Sequence, residues 1–476
     1  MPKTLKIGTQ KQLFIDNFII DNTSKVELNL NQPRKYVGNP IMIPLYPWER
    51  KPELYGTVWH NEDGSFQMWY QGMGELGVPS INEPPNFYKL PDGTYRGFDL
   101  SNLRYTICYA TSEDGIFWDR PNLKLVDYKG SKDNNIALDQ ASYANIIKDN
   151  RDSNPNRLYK ALFYDGGIGA STMGQGVSVA FSPDGIKWTK YEGNPVIKRA
   201  SDAHMLLGWD DLHNKYVAYA RPSVHEGNKT RRVGRSTSDD FINWTLPETV
   251  LAPDELDPPG FEFYGMPVFK YEDIYLGQLN AYYAPPEEPQ IRFYGNVEIQ
   301  LASSRDGIKW ERSGNRKAFI PNGPPGSIDA GQIHTARAPV IVENELWFYY
   351  STTPSEHGIV GRSGPLCLAK LRMDGFVSAD ADDEMGTLIT KPFVCEGNEL
   401  IINASAEKGL VGVAILDESG IQYSGYSKRD CVLFDSDSIS HKVTWQKRPT
   451  LDELKGKTIR LKFYLKNANL YSFTIR

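Results

Sequence analysis

Apolar and polar positions along the chain alternate as short strands separated by polar turns, and one turn returns at regular intervals. The turn occurs in four full copies, each with an aspartate followed by a tryptophan, and in a fifth, shortened copy. They are SEDGIFW from Ser112, SPDGIKW from Ser182, SDDFINW from Ser238, SRDGIKW from Ser304 and MDGF from Met373. The turn aspartates are spaced by 70, 56, 66 and 68 residues. Because Asp and Gly tolerate positive φ, Asp-Gly between apolar runs predicts a hairpin turn.

Each repeat has the pattern of four strands. In the second repeat they begin near Asn145, Tyr159, Gly176 and Trp188. Repeats of this length, built from short strands, are typical of toroids made of blades, so five of them predict an all-β fold with a five-bladed β-propeller over residues 51–379. We interpret the repeated aspartates as caps of their own turns and the tryptophans as packing between blades. Phe241 takes the place of glycine in the third copy, which predicts a different turn geometry there.

The pattern changes after the last repeat. Residues 386–476 alternate in short runs that predict a C-terminal antiparallel β-sandwich, and the acidic stretch 380–384 marks the boundary. Residues 1–50 precede the first blade as an extended segment packed on the propeller. Within it QLFIDNFIID, from Gln12, is typical of an edge strand that either closes the last blade or packs against the second domain.

Composition narrows the class of protein. The chain has 476 residues, enough for two domains. A formal charge of −6 argues against nucleic acid or an anionic membrane as a partner, since either favours a basic patch.

No apolar run reaches the length of a signal-peptide core or a membrane span, so we expect a cytoplasmic protein, or a secreted or periplasmic one if a leader was removed. The cysteines are widely spread and predict free thiols, with a bridge between Cys395 and Cys431 left open.

Polar residues precede the first strand of four of the five repeats at similar offsets. They are Glu53, Asp202, Glu262 and His334, each five or six residues before an apolar strand position. In a propeller the innermost strands begin around one axial pocket, so we expect these side chains to converge. Glycoside hydrolysis needs paired carboxylates, one to protonate the leaving oxygen and one to activate water or attack carbon. We predict Asp202 and Glu262 as that pair, with Glu53 as a third carboxylate.

Further side chains near these strand starts are predicted to line a sugar subsite. They are His204, Arg221, Tyr264, His334, Arg337 and Asn145. Aromatic faces stack on sugars, and arginine binds hydroxyls or anions, although an ion pair with a pocket carboxylate is an equally good interpretation of either arginine. The Pro- and Gly-rich stretch 72–102 predicts a binding loop. No close ligand spacing predicts a metal site, and no cofactor is expected.

On these features the chain resembles the five-bladed glycoside hydrolases, the superfamily of arabinanases, β-xylosidases, invertases and levansucrases. The resemblance rests on the repeats, on the SxDGxxW hairpins and on WDDLHNKYVAYAR from Trp209. It is closest to the uncharacterised hydrolase-like members that carry a C-terminal sandwich, PWE from Pro47 and YGMPVF from Tyr264. It implies a glycosidase, a carbohydrate hydrolase acting on a terminal sugar of an oligo- or polysaccharide.

The carboxylates are distributed differently from that superfamily. Its first blade usually provides an aspartate base or nucleophile, its second a supporting aspartate and its third a glutamate acid. Here Glu53 lies in the first repeat, no carboxylate matches in the second, Asp202 lies in the third and Glu262 in the fourth. The superfamily also implies a central Ca²⁺ near the position of His334.

Two alternative functions stay open. Mannoside-acting relatives are phosphorylases that hold phosphate with basic residues, so an intracellular glycoside phosphorylase is one, and phosphate-dependent cleavage would identify it. A non-catalytic carbohydrate-binding protein is the other, favoured by the missing carboxylate of the second repeat. The sequence does not determine the sugar, the linkage or the oligomeric state.

Overall fold

The computed structural model describes residues 4–49, 53–75, 88–89, 95–96, 103–165, 176–198, 200–222, 230–284, 295–357 and 364–476. Within these ranges the protein is all-β, as the strand pattern predicts. The only helices described are single 3-10 turns, at Pro47–Glu49, Pro155–Arg157, Gly314–Arg316 and Asp452–Leu454. None of the helices in this part of the chain is long and apolar enough to span a membrane.

Four short strands come from the N-terminal residues: β1 (Gln12–Leu13), β2 (Ile20–Ser24), β3 (Glu27–Leu30) and β4 (Arg34–Lys35). The first four-stranded unit contains β5 (Glu53–His60), β6 (Phe66–Glu75), β9 (Leu103–Ser112) and β10 (Ile136–Asp139). Between its second and third strands lies a small separate pair, β7 (Tyr88–Lys89) and β8 (Tyr95–Arg96). The 72–102 stretch, predicted as a binding loop, otherwise lies mostly outside the described residues.

The second and third units are antiparallel meanders of consecutive strands. The second contains β11 (Ser142–Lys148), β12 (Tyr159–Tyr164), β13 (Val177–Ser182) and β14 (Thr189–Lys190). The third contains β15 (Ala200–Asp210), β16 (Lys215–Pro222), β17 (Val233–Ser238) and β18 (Glu248–Leu251).

The fourth and fifth units join into one sheet through a parallel bridge between Val297 and Gln332. The fourth contains β19 (Phe261–Phe263), β20 (Val268–Tyr271), β21 (Ile274–Tyr283), β22 (Asn296–Ser304), β23 (Glu311–Arg312) and β24 (Ala318–Ile320). The fifth contains β25 (Gln332–Thr335), β26 (Val340–Val342), β27 (Glu345–Thr353) and β28 (Leu366–Arg372). Its outermost strand is β4, which pairs with β28 through Arg34 and Lys35.

The C-terminal residues form two sheets that share one core with residues from the N-terminal segment. Their strands are β29 (Val377–Ala381), β30 (Gly386–Thr390), β31 (Phe393–Val394), β32 (Leu400–Ser405), β33 (Leu410–Asp417), β34 (Asp437–Val443), β35 (Thr458–Lys466) and β36 (Ala468–Ile475). One sheet has the order β3-β29-β36-β32-β34 with β1 beside β36, and the other has β2-β30-β35-β31 with β33 beside β35. Cys395 and Cys431 are both buried free thiols, so the bridge left open by the sequence is absent.

The first strands of the units, which we call the inner strands, form a ring of contacts that is completed between the fourth and fifth units by β21 and β22. They are β5, β11, β15, β19 with β20, and β25 with β26. β5 contacts β11, β11 contacts β15, and β15 contacts β20. The fourth unit contacts β25, and both β25 and β26 contact β5. Side chains form hydrogen bonds with backbone groups at these contacts. For example, Thr57 Oγ1 accepts a hydrogen bond from the Ile146 amide at 2.9 Å. This arrangement places the starts of the inner strands close together.

The four tryptophan-containing turns are structural, as predicted. Asp114 Oδ1 accepts from the amides of Ile116 and Phe117 at 2.8 and 2.9 Å, and the Trp118 indole donates to the Gly115 carbonyl. The two amide bonds recur around Asp184, Asp240 and Asp306. The indole bond recurs for Trp188 and Trp244, whereas Trp310 Nε1 has no acceptor among the described residues. An aspartate that accepts two amides of its own turn fixes the local backbone.

The third of these turns corrects a sequence-based expectation. Phe241, at the glycine position, has φ of 68°, against 73° for Gly115, so the predicted difference in geometry is wrong. A non-glycine residue is strained at positive φ, and here the ring is fully buried between Phe181, Tyr216 and Trp244, which offsets that strain.

Asp374, in the fifth and shortened turn, serves a different purpose. Its Oδ1 accepts from the Tyr271 hydroxyl at 2.6 Å and pairs with Lys11 Nζ at 2.9 Å. Its Oδ2 accepts from Asn403 and Ser472 at 3.0 and 2.7 Å. This buried carboxylate therefore links the fourth unit, the N-terminal segment and the C-terminal sheets.

Candidate functional site

The second strand of each unit ends beside the start of its inner strand. The paired residues are Glu53 with Gln71, Ser142 with Tyr164, Ala200 with Pro222, Phe261 with Tyr283 and Gln332 with Thr353. The longer ranges outside the described residues directly follow these second-strand ends. The starts of the inner strands and the adjoining strand ends therefore define one face of the molecule.

At this face two of the predicted carboxylates, Glu53 and Asp202, influence the pKa values of the same group of tyrosines. The group, which we call the tyrosine cluster, consists of Tyr55, Tyr105, Tyr143 and Tyr264. Burial raises the pKa of all four hydroxyls, and the negative charges of Glu53 and Asp202 raise it further. For Tyr264 the result is a pKa of about 12. Glu53 and Asp202 thus share one environment, which we call the candidate pocket, and its tyrosines stay protonated as hydrogen-bond donors.

Arg221 forms an ion pair with Asp202, whose side chain remains partly exposed to solvent. Arg221 Nη2 donates to Asp202 Oδ1 at 2.5 Å, and its Nε donates to the Ser201 hydroxyl at 2.6 Å. The Asp202 side chain is 34% exposed, whereas that of Arg221 is 8% exposed. Burial would raise the pKa of Asp202, but the charge of Arg221, assisted by Arg231, outweighs it and lowers the pKa. Asp202 is therefore an ionised carboxylate accessible from the pocket.

Glu262 is placed differently from Asp202. Its side chain is buried and forms an ion pair with the Arg231 guanidinium. That guanidinium lies over the rings of Tyr264 and Tyr282, at 5.7 and 5.0 Å from their centroids. This ion pair already engages Oε2 of Glu262. The structure thus brings Glu262 near the candidate pocket through Arg231, and not directly into it.

Tyr264 lies at the centre of the polar contacts. Its hydroxyl lies 3.1 Å from His357 Nε2, and its carbonyl accepts from Arg221 Nη1 at 3.1 Å. The rings of His334 and His357 lie 5.4 and 5.1 Å from the Tyr264 ring. His334 Nδ1 is in turn 2.8 Å from the Tyr55 hydroxyl. The predicted residues Tyr264, His334, Arg221 and Asp202 therefore belong to one contact network.

His204 lies two residues beyond Asp202 on β15 and is fully buried. Neither ring nitrogen has a hydrogen-bond partner of ordinary geometry among the described residues. Burial lowers the pKa of His204 to about 4, although the Asp202 charge and nearby backbone groups act in the opposite direction. At neutral pH this imidazole is uncharged beneath Asp202.

Folding stability is expected to fall on mild acidification because of His204. Its pKa is about 4 in the folded protein and 6.5 in the unfolded chain, so the unfolded state binds more protons as the pH falls through that window. The loss reaches about 2 kcal/mol near pH 5 and is absent above the unfolded pKa. Urea denaturation of wild type and His204→Gln across this range measures it. An unchanged pH dependence in the variant would contradict the assignment.

Asn145 and Arg337 lie in the ring of inner strands, but their contacts are with the backbone. Asn145 is fully buried, and it donates to the Tyr55 carbonyl at 2.5 Å and accepts from the Leu206 amide at 2.9 Å. Both of its polar atoms are thus engaged in joining three units. Arg337 directs Nη1 to the Leu207 carbonyl at 3.1 Å, away from the tyrosine cluster.

Several pocket residues were not among the sequence-based candidates. They are Tyr55, Tyr105, Tyr143, Arg231 and His357. Tyr143 and Tyr105 lie at the starts of β11 and β9, on the same face as the inner-strand starts. The sequence-based search centred on residues five or six positions before an apolar position in the first strand of each repeat. Including residues at the ends of the neighbouring strands would have identified most of these five.

The search for a metal centre gives no candidate in the part of the chain that is described. No group of three or more His, Cys, Asp or Glu side chains there is arranged to hold a metal ion. The Ca²⁺ implied near His334 by the resemblance stays a prediction.

Comparisons with known proteins give distant structural similarity. No family model matches the sequence. A glycosyl hydrolase from Bacteroides ovatus is 14% identical with a TM-score of 0.46, covering 72% of this chain and 94% of its own. A β-1,2-mannobiose phosphorylase from Listeria innocua is 12% identical with a TM-score of 0.48, covering 71% and 96%. An N-acetylgalactosamine deacetylase from F. plautii is 16% identical with a TM-score of 0.43, covering 73% and 96%.

Proposed function

We infer that the five units form a five-bladed β-propeller and that the C-terminal sheets form a β-sandwich. The ring of contacts among the inner strands, closed from the fifth unit back to β5, supports the propeller. The single core shared by the two C-terminal sheets supports the sandwich. In this architecture the candidate pocket lies at the axial mouth of the propeller.

We propose that the protein is a glycoside hydrolase that removes a terminal sugar in the candidate pocket. The observation that carries this proposal is Asp202, an ionised and partly open carboxylate that shares the tyrosine cluster with Glu53. A sugar offers many hydroxyls and an apolar ring face. Protonated tyrosines and paired carboxylates are the groups that bind hydroxyls, and the tyrosine faces are suited to stacking on the ring.

In this proposal Asp202 and Glu53 have different roles in cleaving the glycosidic bond. Glu53 is the second carboxyl group of the proposed pair, the one that passes a proton to the glycosidic oxygen while the bond from that oxygen to the anomeric carbon breaks. Asp202, kept ionised by Arg221, attacks the anomeric carbon or takes a proton from the attacking water. Glu262 is proposed as a positioning residue that holds Arg231 over Tyr264, because its own charge is already paired.

The arrangement of the two arginines favours hydrolysis over phosphorolysis. Phosphate requires positive charge that is not already neutralised. Arg221 is paired with Asp202, and Arg231 with Glu262. Each guanidinium near Tyr264 therefore already has a carboxylate partner, and a phosphate ion would have to compete with it.

The proposed reaction is tested with the full chain and a panel of aryl glycosides and natural oligosaccharides, with and without inorganic phosphate. Cleavage that does not depend on phosphate supports a hydrolase and identifies the sugar. Strictly phosphate-dependent cleavage would replace the proposal with a glycoside phosphorylase. Saturable sugar binding by calorimetry, without cleavage of the bound sugar, would replace it with a carbohydrate-binding protein.

Arg221→Met is expected to shift the acidic limb of the kcat/KM profile to higher pH. Burial raises the pKa of Asp202, and Arg221 is the largest charge that lowers it, so its removal raises that pKa. Activity that needs an ionised Asp202 is then lost at a higher pH as the solution is acidified. The profile of Arg316→Met, which removes an arginine paired with Asp254 elsewhere, serves as the control. Equal acidic limbs in wild type and Arg221→Met would exclude Asp202 as the group responsible.

A further inference from the structure

Arg337 is a guanidinium without a carboxylate partner. Among the described residues no Asp or Glu forms an ion pair with it, unlike Arg221 and Arg231. Burial alone lowers the pKa of Arg337 to about 10, with no charge acting against it. Arg337 is part-buried and its Nε is fully buried, so an acceptor is expected beside Nε, since a positive charge removed from water without compensation is costly.

The contacts of Arg337 leave part of its donor edge unused. Nη1 donates to the carbonyls of Leu207 at 3.1 Å and Leu206 at 3.5 Å. Nε is buried and has no acceptor among the described residues. Of the five donors of an arginine, the two carbonyls engage those of Nη1, and the buried Nε–H still needs an acceptor.

A second buried donor without an acceptor belongs to Trp59. The indole Nε1–H has no partner among the described residues. The Arg337 guanidinium carbon lies 5.9 Å from the centroid of the Trp59 ring. Both groups can only donate, so whatever satisfies them must accept hydrogen bonds. Two such donors beside one uncompensated positive charge indicate an anion.

These residues lie further along the inner strands than the candidate pocket. Trp59 is at the far end of β5 from Glu53, and Leu207 is beyond Asp202 and His204 on β15. The backbone amide of Arg337 donates to the Gly56 carbonyl on β5 at 3.0 Å. The Arg337 side chain therefore lies between β5 and β15, further along these strands than Glu53 and Asp202.

We propose that Arg337 and Trp59 form a binding site for a small monovalent anion of the halide class, such as chloride. One guanidinium balances one negative charge, and Arg337 Nε and Trp59 Nε1 are both buried without an acceptor among the described residues. The bound ion would connect β5, which carries Trp59, to β15, whose Leu206 and Leu207 carbonyls already accept from the same guanidinium. It would act as a structural ligand of the propeller and not as a substrate.

The test is thermal unfolding of the full chain in chloride against isethionate at constant ionic strength. A ligand bound only by the folded state raises Tm in a saturable way, so chloride is expected to do so. Trp59→Phe, which removes the indole N–H together with the five-membered ring and keeps a six-membered aromatic ring, is expected to need about tenfold more chloride for the same rise. Arg337→Met is expected to lose the response, and Arg316→Met to keep it.

Bromide provides a direct measurement in the wild-type protein. Crystals grown with bromide are expected to show an anomalous peak within hydrogen-bond distance of Arg337 Nε and Trp59 Nε1. Equal melting in chloride and isethionate with no bromide peak would overturn the proposal and leave water as the acceptor. A full chloride response in Trp59→Phe, or in a folded Arg337→Met, would also overturn it.

Discussion

Asp202→Asn is expected to lower kcat/KM by about a thousandfold on whichever glycoside the wild type cleaves, the scale of lost general acid–base or nucleophilic catalysis. The amide oxygen can still accept from Arg221, so the local contacts are kept while the charge is lost. A neutral amide neither attacks the anomeric carbon nor takes a proton from water. Steady-state kinetics measure the loss, and calorimetric titration with the same sugar tests whether binding is retained.

Asp273→Asn is the matched control for Asp202→Asn. Asp273 is also an arginine-paired aspartate of similar exposure, 28%, but it lies in the turn between β20 and β21, at the other end of the fourth unit. Its partner Arg305 keeps a second carboxylate, Asp16. We expect wild-type kinetics from this variant. Near-wild-type turnover by Asp202→Asn would remove Asp202 from the reaction, and equal losses in both variants would indicate a general effect on folding.

Asp374→Asn is expected to cost about 3 kcal/mol of folding stability, since hydrogen bonds to a charged group contribute about 1.5–3 kcal/mol each. The replacement is nearly isosteric, and asparagine tolerates the φ of 63° at this position. However, it places an NH₂ group against side chains that donate, and it removes the charge that pairs with Lys11. Equilibrium unfolding in urea measures the change.

Asp306→Asn provides the comparison, because it changes the same residue type in a related turn. The Asp306 side chain accepts through Oδ1 from two backbone amides, and an asparagine oxygen can accept both. We expect a loss below about 1 kcal/mol. If the two variants lose the same stability, Asp374 is only a turn cap and its contacts to the C-terminal sheets contribute nothing measurable.

The repeats and their turns could be predicted because they depend on local chemistry. An aspartate that accepts from the amides two and three residues later acts within its own turn, so sequence alone identifies it. The backbone geometry around Phe241 could not be predicted in this way. Its positive φ is maintained by rings from β13 and β16, which are distant in sequence.

The site was predictable in position but not in detail. The matched positions of Asp202 and Glu53 before their strands indicated that they lie near each other, and both charges act on the Tyr55 hydroxyl. Such positions could not tell which way a side chain points from a short strand. Glu262 pairs with Arg231, 31 residues away, and Asn145 bonds to the backbone of two other units. Such pairings between units carry no local pattern.

The path of the N-terminal segment has a consequence for motion. Strands β1, β2 and β3 complete the C-terminal sheets, and then β4, only a few residues later, completes the fifth unit. The same segment carries Lys11 to Asp374 and Asp16 to Arg305. A hinge between the two parts would therefore have to bend at the short link between β3 and β4 and break the ion pairs of Lys11 with Asp374 and of Asp16 with Arg305. We expect the C-terminal sheets and the fifth unit to move together.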